Sequence, residues 1–130
     1  MKKKINKEIS NKKKYILCFD LDNVICNTKG LNYKQSTPKK EVIKLINKLY
    51  NDGNIIKIFT ARYMGRNNEN SQIAKKKGYN FTLNQLNQWK LKFHKLIFGK
   101  PTYDLFVDDK SYFFRKNWYK NFRKKLNEKK

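Results

Sequence analysis

The sequence predicts an α/β domain built on a parallel sheet, from two observations. Short apolar runs, Tyr15 to Phe19, Ile55 to Phe59, Lys95 to Phe98 and Tyr103 to Val107, alternate with segments whose apolar residues recur at helical spacing. Each run also gives way to polar residues at its carboxyl end: Asp20 and Asp22, Thr60, Lys100, then Asp108 and Asp109. Strands that alternate with helices imply right-handed crossovers, and so a three-layer, Rossmann-like parallel sheet with helices on both faces. In such sheets ligands collect at the carboxyl edge.

Tyr15-Ile16-Leu17-Cys18-Phe19 is almost wholly apolar, as a strand buried on both faces would be, with Cys18 as a small core residue. Thr37-Pro38 reads as a helix cap followed by proline at the first helical position. Val42, Ile43, Ile46, Leu49 and Tyr50 supply one apolar face of that helix, and Gly53 closes it. Residues 61–80 are polar, punctuated by Gly65 and Gly78, with a short helix around Ile73 and Ala74. Thr82 is positioned to cap a further helix carrying Leu83, Leu86, Trp89 and Phe93. Phe114, Trp118, Phe122 and Leu126 recur every four residues, an apolar stripe suited to packing on the core.

At 130 residues the chain accommodates one core. The reading is a basic flexible tail over 1–14, one domain over 15–126 and a second basic tail over 127–130. No apolar run approaches the roughly 20 residues of a membrane span, and Met1 to Lys14 lacks the apolar stretch of a secretory signal. A cytoplasmic protein without a membrane partner is therefore expected. Cys18 and Cys26 are too few for a disulfide framework.

The net charge of +22 raises nucleic acid as a partner. Four arginines (Arg62, Arg66, Arg115, Arg123) leave 28 lysines among the 32 cationic residues, and asparagine is abundant. That skew suits an AT-rich coding sequence, whereas base and phosphate recognition draws on the bidentate geometry of arginine. Nucleic acid remains a possible partner but not the favoured one. The single histidine, His94, has no acidic neighbour in sequence and reads as structural.

The chain has only ten acidic residues, and four of them form two strand-end pairs. Crowded, partly desolvated carboxylates repel one another, a conflict that a divalent cation relieves. Mg²⁺ with its preference for carboxylate, water and phosphate oxygens is the expected cofactor.

Phe19-Asp20-Leu21-Asp22-Asn23-Val24-Ile25, followed in order by Thr60, Lys100 and Asp108-Asp109, resembles the four motifs of the haloacid dehalogenase (HAD) superfamily of phosphatases. A narrower likeness, in Phe59-Thr60-Ala61-Arg62, Phe98-Gly99-Lys100-Pro101 and Phe106-Val107-Asp108-Asp109, is to small bacterial phosphatases of capsule and surface-polysaccharide biosynthesis. The resemblance implies that Asp20 is the nucleophile of an aspartyl-phosphate pathway and that Asp22 is the acid and then the base. It implies that Thr60 and Lys100 hold the phosphoryl group, with Ala61 and Arg62 beside the substrate. Asp20, Asp22 (through its carbonyl) and Asp108 would hold Mg²⁺, with Asp109 a ligand through water or an orienter of Lys100. The implied substrate is a small phosphorylated metabolite, a sugar phosphate in the narrower family. A nucleotide or nucleic-acid-end phosphatase, and a non-catalytic basic module on the same scaffold, are the alternatives.

About 37 residues separate Asp22 from Thr60, and about 39 separate Thr60 from Lys100. Helices account for much of both gaps, so the resemblance is to a capless HAD-like core with an open site. An open site makes coverage by a second copy, a homo-oligomer, an expectation.

Overall fold

The computed structural model describes residues 13–128, so residues 1–12 of the expected basic tail lie outside it. Strands β1 (Ile16–Asp20), β4 (Ile55–Thr60) and β5 (Lys95–Phe98) form a parallel sheet in the order β1-β4-β5. A separate antiparallel ribbon joins β2 (Cys26–Asn27) to β3 (Thr37–Pro38). The helices are α1 (Lys40–Asn51), α2 (Ser71–Gln88) and α3 (Phe122–Glu128).

Register shows how the sheet is buried. Leu17 pairs with Ile56, Phe19 with Ile58, Ile58 with Leu96 and Thr60 with Phe98. These residues share one face, and all but the half-buried Leu17 are buried. Val42, Ile46 and Leu49 of α1 and Ala74 and Leu86 of α2 complete one core with them. The other face carries no buried residue: Ile16 is 69% exposed, Cys18, Ile55 and Lys95 are exposed, and Phe59 and Ile97 are half-buried. Among the described residues, the expected helices on both faces are therefore corrected to a covered face and an open one. Cys18 is likewise corrected from core to surface, because side chains in a strand alternate between faces however apolar the run is.

α1 starts later than its cap signal. Thr37 and Pro38 pair with Asn27 and Cys26, and Lys39 is the residue before the first helical turn. A proline lacks the ladder donor, which a two-residue ribbon tolerates. Gly53, at φ +98, ends the helix as expected, and the Lys14 ammonium donates to the Asp52 carbonyl there. A cation at that end meets the partial negative charge of the helix terminus.

Between Asn70 and Trp89 the two expected short helices merge into one. Asn70, not Thr82, is the cap: its side chain accepts a hydrogen bond from the Ile73 N–H at 3.0 Å. Thr82 lies inside the helix and is fully buried. Gly78 does not break the helix, because it lies where α2 meets its neighbours. A Cβ there would stand 2.3 Å from a Tyr63 ring carbon and 3.0 Å from Phe98. Gly78→Ala should therefore destabilise the fold by about 2 kcal/mol, despite alanine's higher helix propensity. Chemical denaturation measures this; equal or greater stability would show that Tyr63 moves aside freely.

Two expectations fail near the carboxyl end. Tyr103 to Val107 forms no fourth strand: residues 101–117 are exposed, with Leu105 at 82% and Val107 at 86%. The stripe from Phe114 to Leu126 is not one helix. A 3₁₀ turn over Trp118–Lys120 precedes α3, which continues to Glu128, past the expected end of the domain at 126. Trp118 and Phe122 pack on Phe19, with ring centroids 5.9 and 5.8 Å away, whereas Phe114 is exposed. Core packing thus holds for Trp118 and Phe122, with Leu126 packed at the core's margin, but not for Phe114. His94 is structural as expected, although exposed: its Nδ1 accepts the Ile56 N–H at 3.0 Å, and its ring stacks on Tyr50. No helix among the described residues is long and apolar enough to cross a membrane.

Candidate active site

The site is built at the carboxyl ends of the three parallel strands. β1 ends on Asp20. Leu21, which is fully buried, and Ile25 then anchor a tight loop in which the Leu21 carbonyl accepts the N–H groups of Val24, Ile25 and Cys26. Burying Leu21 leaves Asp20 and Asp22, on either side of it, partly exposed. Asn23 turns the chain at φ +66, a conformation asparagine tolerates better than most residues.

β4 ends on Thr60, which is fully buried. Its carbonyl accepts the Lys100 N–H at 3.1 Å, and its hydroxyl accepts the Arg62 N–H at 3.1 Å. One residue thereby fixes both the segment after β5 and the turn through the half-buried Ala61. Gly99, at φ +101, bends the chain so that Lys100 turns back toward the site; a Cβ there would come within 2.9 Å of Ser71.

Lys100 Nζ lies 3.3 Å from Asp20 Oδ1. Burial raises the Asp20 carboxyl above the ordinary range, and the nearby Asp22 adds to this, while Lys100 opposes it through charge and hydrogen bonding. For Lys100, burial pulls the ammonium's pKa down. A hydrogen bond with Tyr103 and the Asp20 charge outweigh it, so the net shift is upward. Asp20 and Lys100 thus form a partly desolvated carboxylate–ammonium pair.

Asp22 has a different partner. Arg62 Nη2 donates to its Oδ1 at 2.9 Å, and Nε reaches Oδ1 at 3.2 Å and Oδ2 at 3.0 Å. Thr28 adds a short hydrogen bond to Oδ1 at 2.6 Å. Arg62 is only 1% exposed, so it does not face outward as a substrate contact would. Thr28, Ser36, Tyr33 and Gln85, which surround this ion pair, carry no local signal in the sequence. A faint signal existed for α2: polar Thr82 and Gln85 fall in the same helical stripe as buried Ala74, Gly78 and Leu86.

Asp108 and Asp109 do not join the other carboxylates. Both are exposed in irregular chain, because the strand that was to deliver them is not formed. Asp108 is held below the usual carboxylate range by the Lys110 N–H and by Asp109. An octahedral Mg²⁺ needs several oxygens converging on one point. With the Asp20 side chain on Lys100 and Asp108 and Asp109 apart, the expected ligands do not converge on one ion in this arrangement, and the Asp22 carbonyl alone does not make up the set. Among the described residues no group of three or more His, Cys, Asp or Glu side chains is placed to share a metal.

Next to Asp22 lies an open cavity of ≈ 660 Å³, lined by Asn23, Asn27, Thr28, Lys29, Asn32, Gln35 and Thr37. The lining side chains carry amides, hydroxyls and a single charge, but the surface they present to the cavity is mostly apolar.

No protein-family model and no curated protein matches the sequence. Among solved structures, a structural-genomics target from Vibrio cholerae superposes with a TM-score of 0.75 at 22% identity. The match covers 90% of this chain and 98% of that one. At that identity the likeness is one of fold, and it supports a compact α/β domain.

Proposed function

We propose that this protein is a phosphomonoesterase with a HAD-like, capless core, in which Asp20 attacks the phosphorus of a small phosphate ester. The observation that carries the reading is the Asp20–Lys100 pair at 3.3 Å, beside Asp22 at the carboxyl edge of a parallel sheet. A carboxylate nucleophile needs an exposed, unprotonated oxygen, and the transferring phosphoryl group needs a fixed cation. The pair supplies both.

In the first step a carboxylate oxygen of Asp20 bonds to phosphorus as the ester P–O bond breaks. Asp22 gives its proton to the departing alkoxide, so an alcohol leaves and an aspartyl-phosphate remains. In the second step Asp22 takes a proton from water, whose oxygen attacks the same phosphorus. Inorganic phosphate leaves and the Asp20 carboxylate is restored. Lys100 faces the oxygens on which charge collects in both steps. Thr60 positions Lys100 and Arg62 through its backbone carbonyl and hydroxyl.

Amide and hydroxyl groups of Asn23, Asn27, Thr28 and Asn32, set in a mostly apolar cavity surface, suit a sugar phosphate, which offers both hydroxyls and apolar ring faces. The net charge of +22 favours a second reading, a phosphatase of nucleotides or nucleic-acid ends. Phosphate release across sugar phosphates, nucleotides and 3′-phosphorylated oligonucleotides separates the two. Sugar phosphates should lead, and a strong preference for oligonucleotides would overturn that choice. Affinity for an oligonucleotide should also be weak at about 150 mM salt, since contacts made by surface lysines are lost as counterions compete. Fluorescence anisotropy against salt concentration checks this. Removing residues 1–12 should leave sugar-phosphate turnover unchanged, because no site residue lies there.

A further inference from the structure

Arg62 is a fully buried cation, and its guanidinium is satisfied on every side. Nε and Nη2 hold Asp22, Nη1 donates to Gln85 Oε1 at 2.7 Å, and the Tyr33 ring lies 4.7 Å away. Gln85 is itself fixed, since its Nε2 donates to the Tyr33 carbonyl at 2.8 Å. The Asp22 carboxylate meets this scaffold unevenly. Oδ1 accepts from Nη2, Nε, the Thr28 hydroxyl and, at 3.6 Å, the Cys26 thiol, whereas Oδ2 accepts only from Nε among the described residues. Each carboxylate oxygen has two lone pairs, so Oδ1 is filled and Oδ2 has one to spare.

We infer that Arg62 is the positioning residue for Asp22: with Thr28 it anchors the carboxylate through Oδ1 and leaves Oδ2 to give and take the proton. This rests on the phosphatase reading. It replaces the expectation that Arg62 contacts substrate, because a guanidinium 1% exposed and committed to Asp22 and Gln85 has no donor left to offer. Lysine cannot reproduce the grip, since one ammonium does not span two oxygens and Gln85 in a fixed plane. The competing role is a structural tie between the loop after β1 and the turn after β4.

The two roles part on leaving-group dependence. Nitrophenolate leaves without a proton; an alkoxide does not. First-turnover release should be measured on p-nitrophenyl phosphate and on glycerol phosphate with wild type, Arg62→Lys and Arg62→Gln. Alcohol release should slow about 100-fold in both variants, the scale of a lost proton transfer, while nitrophenolate release stays within a few-fold. The ratio between substrates is read on one sample, so it does not depend on the fraction of folded protein. Thr28→Val leaves Arg62 in place and should move the ratio in the same direction by about tenfold, which keeps the test open if the Arg62 variants fold poorly. Equal losses on both substrates, or no change in the ratio, would overturn the positioning role. Failure of the wild-type protein to release phosphate from either substrate would overturn the phosphatase reading and the inference with it.

Discussion

Asp20→Asn should abolish phosphate release while leaving the fold intact. The amide keeps the shape of the side chain but has no anionic oxygen to attack phosphorus, and losing a covalent nucleophile costs about 10⁴-fold or more in turnover. The stability effect has a definite sign. Burial raises the Asp20 pKa, so ionising this group is harder in the folded chain than in the unfolded one. Its contribution to stability is full below the unfolded pKa and is lost as pH rises through the folded value. At neutral pH the charge is therefore a net cost, and Asp20→Asn should melt no lower than wild type. An inactive and less stable variant would point to a structural role for the Asp20–Lys100 pair.

Lys100→Met should have the second largest effect. It removes the cation facing both Asp20 and the phosphoryl oxygens, a loss of about 10² to 10³-fold in turnover on the scale of a single electrostatic donor. It should also shift the pH dependence. Lys100 is the main influence holding the Asp20 pKa down against burial. Without it that pKa rises further, and the acid limb of the rate profile, which requires ionised Asp20, moves to higher pH. Lys100 itself is shifted upward from the ordinary lysine value, so in wild type it stays cationic across the neutral range. An unchanged acid limb in the variant would separate Asp20 from the rate-controlling ionisation.

Much of this site was legible in the sequence because the relevant signals are local. β1, β4 and β5 lie where the apolar runs end in Asp20, Thr60 and Lys100, and a parallel sheet brings such ends to one edge. Features that depend on tertiary partners were not legible. The apolar run of β1 before Asp20 does not reveal that Ile16 and Cys18 face the exposed side of the sheet. Thr82 has the residue type of a cap, yet its hydroxyl faces Arg62 at 3.4 Å from the middle of α2. Gly78 has the type of a helix end, yet it admits Tyr63. Tyr103 to Val107 has strand composition but pairs with no neighbour, and Asp108 and Asp109 stay apart in consequence. The environment of Arg62 was hidden most completely, because its partners come from the loop after β1, the β2–β3 connection and α2.

The central claim, covalent catalysis by Asp20, is tested most directly by trapping the intermediate. A sample quenched in acid during turnover of p-nitrophenyl phosphate, then reduced with borohydride, converts an aspartyl-phosphate to homoserine. Peptide mass spectrometry should place that change at position 20 and nowhere else, and phosphate-free controls should lack it. Active protein with no modification at Asp20, or with the modification at Asp22 or Asp108, would contradict the account.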